Sequence, residues 1–287
     1  MYPDDSLELP STQMPERDFA RLAELVYSEC GIHLPPAKKT MLSTRLLKRL
    51  HALKIRSFAD YYNYVVSPEG RRCELPHMID VVSTNKTEFF REPAHFEFMT
   101  KVLLPELAAR KGRHALLRLW SAGCSSGEEP YTLAMVLADW SERVGALANF
   151  RVLGTDISHR MLDRARRAVY PKEAARCVPP HLLKKYVLRG KGEQAGLVRM
   201  APEIRARVEL RWLNLMEPFI GLDQMDVIFC RNVIIYFDRP TQSRLVDKFT
   251  RQLAAGGYLF LGHSETLNAI NDYLKPVRPT IYRKPLT

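Results

Sequence analysis

Leu116-Leu117-Arg118-Leu119-Trp120-Ser121-Ala122-Gly123-Cys124-Ser125-Ser126-Gly127-Glu128-Glu129-Pro130-Tyr131 is the stretch that decides the fold. Its first five residues are a short, nearly continuous apolar run, suited to a strand covered on both faces. The small residues from Ser121 to Gly127 let a backbone loop approach a ligand closely. The stretch onward to Trp140 predicts a helix whose amino end favours anionic groups. A strand, a small-residue loop and a helix in that order open an α/β domain.

Toward the C-terminus the rhythm repeats. Phe150 to Asp156 predicts a second strand, followed by a helix through Ala168. Val208 to Leu213 and Val227 to Cys230 predict two more strands, and a helix over 241–254 precedes the apolar run Tyr258 to Leu261. Strands alternating with helices imply a mostly parallel sheet with helices on both faces. The segment 172–206 interrupts the pattern: Tyr186 to Arg189, a glycine-rich turn and Leu197 to Met200 read as an inserted antiparallel hairpin. Toward the N-terminus the period becomes helical. Phe19, Leu22, Ala23 and Val26 recur until Gly31. A second helix, about 37–54, carries the stripe Leu42, Leu46, Leu50 and Leu53; a third starts at Ser57 with a capping-box spacing to Asp60; a fourth carries Leu75, Met78, Ile79 and Val82. The expected organisation is a helical domain over 12–83 and an α/β domain over 84–287.

Composition narrows the class. The chain has no apolar run near the roughly 20 residues that cross a bilayer, and its acidic, Pro-containing start reads as a loose lead-in rather than a signal peptide. Five scattered cysteines without a C-x-x-C pair argue against a disulfide framework or a Cys-rich zinc site and suit a reducing cytoplasm. The net charge of +11 points to an acidic partner.

Ligands of such sheets sit at the carboxyl ends of the strands, near the switch in strand order. There Asp156 can accept hydrogen bonds from both hydroxyls of a ribose, and Asn214 and Asn232 can hold an adenine edge and a ligand carboxylate. A dinucleotide would call for G-x-G-x-x-G, whereas the loop offers Gly123 and Gly127, which suits S-adenosylmethionine (SAM) better because it has no pyrophosphate. His263 lacks the G-x-S-x-G elbow of a hydrolase and is expected to be structural or solvent-facing. The linker Asn85-Lys86-Thr87-Glu88-Phe89-Phe90-Arg91 is unusually polar and aromatic, either a second ligand-facing element or a capping segment.

Asn85-x-Thr87-x-Phe89-Phe90-Arg91, the stretch Ser121 to Tyr131, Thr155-Asp156-Ile157 and Cys230-Arg231-Asn232-Val233-Ile234-Ile235-Tyr236-Phe237 together resemble the chemotaxis receptor methyltransferase (CheR) family, in the family's order, from about residue 17 to 270. The resemblance implies an all-α amino-terminal domain and a Rossmann-like SAM-dependent methyltransferase domain with an inserted β-subdomain. It implies transfer of a methyl group from SAM to glutamate side chains of bacterial chemoreceptors, leaving S-adenosylhomocysteine. By position it places Asn85, Thr87, Arg91, Asp156, Asn214, Leu215, Asn232 and Val233 against SAM, with Glu129 preferred over Glu128. A glutamate with a reference pKa of about 4.3 is already ionised at neutral pH, so neither a general base nor a metal is required. The chemistry asks instead for orienting groups, and Arg91 and Tyr236 are expected to place the accepting carboxylate.

Two surfaces are expected to meet the receptor. Between Glu29 and Asp60 there are seven Lys or Arg and no Asp or Glu, and Lys38, Arg45 and Arg49 are the residues expected to face its acidic helices. The turn region with Arg189, Gly190, Gly192 and Arg199 resembles the family branch that tethers to a receptor C-terminal peptide by adding a strand to a sheet edge; read without the resemblance it is a plain surface hairpin. A nucleic-acid methyltransferase would also explain the charge, but position 232 continues as Val-Ile-Ile instead of Pro-Pro-aromatic, and aromatics interleaved with the basic stripe are missing. Neither nucleic acid nor membrane insertion is expected.

Overall fold

The computed structural model describes residues 13–268 and 270–286. Most of the acidic lead-in, and residue 12 of the expected helical domain, lie outside the described residues. Its last residues depart from a loose segment, since Met14 is buried and helix α1 (Glu16–Cys30) starts directly behind Pro15. The chain divides between Thr84 and Asn85 into two compact units.

The first unit continues with α2 (Lys39–Leu53), α3 (Phe58–Val66), α4 (Pro68–Cys73) and α5 (Leu75–Val82). Leu42, Leu46 and Leu50 of α2 are buried with Leu22, Val26, Phe58, Tyr61 and Met78, as a stripe at helical spacing requires. Ser57 caps α3 by accepting from the Asp60 N–H at 3.1 Å while its hydroxyl donates to the Asp60 carboxylate at 2.6 Å. Helix α4 carries no apolar periodicity and was not expected from the sequence; Ser67 caps it, accepting from the Gly70 N–H at 3.0 Å.

The second unit holds α6 (Pro93–Phe98), α7 (Leu104–Lys111), β1 (Leu117–Ala122), α8 (Glu128–Val144), β2 (Phe150–Asp156), α9 (His159–Arg167), β3 (Val169–Pro171), α10 (Pro180–Tyr186), β4 (Val187–Arg189), β5 (Leu197–Met200), α11 (Pro202–Arg205), β6 (Val208–Trp212), β7 (Met225–Cys230), α12 (Arg239–Gln252), β8 (Leu253–Leu261), β9 (Lys275–Arg278) and β10 (Ile281–Arg283). The main sheet has seven strands in the order β6-β2-β1-β7-β8-β10-β9. The first five run parallel; β10 and β9 close the far edge antiparallel. Every residue of β7 is buried, and β1 is buried but for Arg118, which is the burial a strand covered on both faces shows. Trp120 anchors the layer, donating its ring N–H to Thr155 Oγ1 at 2.9 Å and meeting Phe219 edge-on at 4.8 Å.

A second sheet of three strands, in the order β3-β5-β4, stands apart from the main one. It contains the expected hairpin, and its third strand, β3, falls before residue 172, so the subdomain begins earlier than the sequence pattern suggests. Among the described residues no helix is long and apolar enough to cross a membrane.

Candidate active site

Chain order reverses between β1 and β7: β2 and β6 lie on one side of β1, β7 and β8 on the other. The loops after β1, β2, β6 and β7 leave the sheet at this switch, where ligands of open α/β sheets bind. Asp156, the last residue of β2, accepts the Ser125 N–H at 2.7 Å with Oδ2 and the Ser158 N–H at 2.9 Å with Oδ1. These bonds tie the β2 carboxylate to the β1 loop.

The segment 85–92 lies on the same loop. Ser125 Oγ donates to the Asn85 carbonyl at 3.0 Å, Phe89 is fully buried edge-on to Tyr170 at 5.0 Å, and the Phe90 N–H donates to Thr132 Oγ1 at 3.2 Å. Thus Asn85 is brought to the β1 loop, while Phe89 and Phe90 fix the segment that carries Thr87 and Arg91. Arg91 is flanked by two left-handed residues, Phe90 at φ 55° and Glu92 at φ 57°, and its guanidinium donates to the Lys86 carbonyl at 3.0 Å.

Gly123 has φ +86°, and a Cβ there would lie 2.5 Å from Val233 Cγ2, so only glycine lets Val233 rest on the loop. Asn232 is left-handed at φ 58° and donates its backbone N–H to Glu265 Oε2 at 2.9 Å. Its side-chain Oδ1 is buried and has no hydrogen-bond partner among the described residues. A buried acceptor left bare costs about 1–3 kcal/mol, and a ligand donor would remove that cost. Asn214 accepts the Met216 N–H at 3.0 Å, and the Leu215 carbonyl accepts from Lys248 Nζ at 2.6 Å. Burial and the neighbouring Arg251 pull the Lys248 ammonium down to about 8.

The two glutamates at the start of α8 part company. Glu128 accepts from Ser126 Oγ at 2.7 Å, whereas Glu129 accepts from Ser121 Oγ at 2.7 Å and pairs with Arg231 at 3.4 Å, at the ends of β1 and β7. Burial raises the pKa of Glu129 even against Arg231 and the Ser121 hydroxyl. Arg231, to which the sequence reading assigned no role, is the hub of the site: its side chain is 2% exposed, it pairs with Glu92 at 3.2 Å as well as with Glu129, and it donates to the Arg91 carbonyl. The signal for it was a charged residue directly after the unbroken apolar run Val227 to Cys230. Tyr236 stands on the short turn Ile234–Tyr236, partly exposed, with no hydroxyl partner among the described residues. The thiols of Cys124 and Cys230 are pushed well above their ordinary range by burial, which leaves no thiolate nucleophile at neutral pH.

The expected receptor-facing residues are placed unevenly. Lys38 is exposed, but Arg49 forks onto Glu74 (1% exposed) at 2.9 and 2.6 Å, with Tyr61 donating to the same carboxylate at 2.7 Å. Arg45 donates to the carbonyls of Val82 and Ser83 at the end of α5. Both arginines are therefore held inside the helical unit, with less charge to offer outward than a solvated stripe would have. In the β-subdomain, Gly190 donates to the Leu197 carbonyl at 2.9 Å and Gly192 follows at φ 56°. Arg199 lies opposite Leu188 and Arg189 opposite Val198, which puts the two arginines on opposite faces of the sheet. Arg189 instead shares a cavity of about 290 Å³ with Lys172 and Arg176.

A loop without a pyrophosphate turn, joined to a strand-end carboxylate suited to a ribose, marks the SAM-dependent methyltransferase class. Residues 17–83 match the CheR methyltransferase all-alpha domain and residues 85–283 the CheR methyltransferase SAM-binding domain, and the chain belongs to that family. It is similar to the chemotaxis protein methyltransferase of Borreliella burgdorferi, at 37% identity over 270 residues, covering 93% of this chain and 94% of the relative. It is also similar to chemotaxis protein methyltransferase 2 of Pseudomonas aeruginosa, 39% identical over 271 residues and 92% of each chain. The chemotaxis protein methyltransferase of Escherichia coli is 36% identical over 277 residues, 94% of this chain and 93% of the relative.

Proposed function

We propose that this chain is a protein-glutamate O-methyltransferase that esterifies glutamate side chains on the cytoplasmic helices of bacterial chemoreceptors. The observation that carries the proposal is the bare, buried Oδ1 of Asn232 beside the Gly123 loop, a polar place made for a ligand donor at the strand-order switch. Asp156, Glu129, Asn214, Leu215, Asn232 and Val233, with Asn85 and Thr87, would hold SAM there. When bound, SAM supplies a methyl group on a positively charged sulfur and departs as S-adenosylhomocysteine. The accepting carboxylate is ionised at neutral pH, so no residue need take its proton. What the chain supplies is alignment, worth about 7–11 kcal/mol when reacting atoms are held in line; Arg91 and Tyr236 are the groups for it. Incubation with methyl-labelled SAM and receptor fragments should place base-labile label on glutamate. Base-stable label, or label on nucleic acid, overturns the proposal.

Free cysteines throughout the described residues suit the cytoplasm, where the receptor helices are reached. For docking, the exposed Lys38 just before α2 and Arg56 in the segment after it serve better than Arg49, whose reversal would set a second carboxylate against buried Glu74. Reversing Lys38 and Arg56 to Glu should lower kcat/KM for receptor fragments by at least about tenfold, since like charges across an interface cost several kcal/mol. SAM affinity and thermal stability should hold; a parallel loss of SAM affinity counts against the docking role. The β4 edge, with Leu188 at 51% exposure and Lys172, Arg176 and Arg189 beside it, suits a receptor C-terminal peptide added as a strand. Such a tether would raise the effective substrate concentration without touching the chemistry.

A further inference from the structure

We propose that Glu92, His95 and His263 form a binding site for a divalent first-row transition ion of the zinc type, at the edge of the Arg231 network. One donor atom from each residue lies within 4.8 Å of the others. Glu92 Oε2 is 3.5 Å from His95 Nδ1 and 3.9 Å from His263 Nε2. Zinc bonds of about 2.0–2.1 Å in a tetrahedron set donor separations near 3.4 Å, so the exposed His263 ring has only a small distance to move.

The hydrogen bonds around His95 prepare it as a ligand. The ring is 2% exposed, and its Nε2 lies 2.9 Å from Thr280 Oγ1, which donates its own proton to the Pro279 carbonyl at 2.7 Å. Thr280 must then accept, which puts the ring proton on Nε2 and leaves a lone pair on Nδ1. That Nδ1 is buried and without a hydrogen-bond partner among the described residues, with the Glu92 carboxylate as its neighbour. Two acceptors facing each other out of water is an unfavourable pairing that a cation between them reverses. Glu92 is steadied in turn by the His263 N–H at 3.2 Å.

Charge permits the ion. Arg231 opposes it, but Arg231 is shared between Glu92 and Glu129, so only part of its charge offsets the Glu92 carboxylate. A cavity of about 530 Å³, lined among others by His95, His263, Phe98 and Thr280, leads to the cluster and leaves room for a water as fourth ligand. Two imidazoles and one carboxylate favour zinc, nickel or copper over magnesium or calcium.

The test is equilibrium dialysis of the full chain against zinc chloride with metal counting, and cobalt(II) titration followed by visible absorption. The original chain should retain one zinc and give the intense visible bands of low-coordinate cobalt. His263→Ala, a change at an exposed side chain, should abolish both, and Thr280→Val should weaken binding about 10–100-fold by releasing the second ring nitrogen. Failure of the original chain to retain zinc, or zinc and cobalt signals unchanged in His263→Ala, overturns the site.

Discussion

Arg231→Leu is expected to lower the unfolding free energy of the second unit by about 3–5 kcal/mol, the range for removing one partner of a buried ion pair. The loss falls on carboxylates rather than on the arginine's own packing. Glu92 and Glu129 are 9% and 15% exposed at their side chains, and with their shared cation gone each must either hold an unpaired buried charge or take up a proton, both of which cost stability. The Arg91 carbonyl loses a donor at the same time. Against a typical total of about 5–15 kcal/mol, such a loss brings the unit close to its threshold. Trp120, Trp140 and Trp212 all belong to the second unit, so a urea titration followed by tryptophan emission reads it alone. Adding Glu129→Gln to Arg231→Leu should restore part of the loss, because the neutral amide keeps the Ser121 contact without an unpaired charge. A single-variant loss below about 1 kcal/mol would mean that water reaches these carboxylates freely and that Arg231 is not their counter-ion.

Why Arg231 escaped the sequence reading while the strand before it did not is a matter of range. Val227 to Cys230 shows its burial locally, through unbroken apolar character, and Ser57 with Asp60 shows its cap within one turn. Arg231 meets Glu92 and Glu129 across more than a hundred residues of chain, and no local spacing encodes that. The same limit explains the basic stripe of α2: its partner Glu74 lies 25 residues downstream, so Arg49 looked solvated. In the hairpin the strands were legible but their register was not. Pairing Leu188 with Arg199 sends Arg189 to the other face, and one residue of slip would have reversed that. Several of the elements that went unseen have little pattern to show. Strand β3 is three residues ending in proline, β9 is exposed throughout, and α4 has no apolar face. By contrast the carboxyl ends of the parallel strands were legible, because they announce themselves wherever an apolar run stops at Asp or Asn. Asp156, Asn214 and Asn232 all stand at or just beyond such ends.

Arg91→Ala is expected to reduce methyl transfer about 10²–10³-fold, the cost of losing one preorganised donor at a reacting centre, while leaving the fold intact. The backbone on both sides is fixed independently of the side chain: Phe89 is buried, Phe90 is held by Thr132, and the Arg91 carbonyl is held by Arg231. The guanidinium itself makes one hydrogen bond among the described residues, to the exposed Lys86 carbonyl, so its removal frees little. The left-handed residues on either side of it, Phe90 and Glu92, each cost about 1–3 kcal/mol, and strain of this kind clusters where a side chain must be held in place for function. If that place is beside the accepting carboxylate, turnover with receptor fragments must fall far more than SAM affinity measured by calorimetry. Arg91→Lys should recover little, because a point charge on a flexible stem cannot reproduce a planar fork that grips both carboxylate oxygens. Methylation at a near-normal rate in Arg91→Ala would remove this residue from the chemistry, and a loss confined to SAM affinity would make it a ligand of the donor alone.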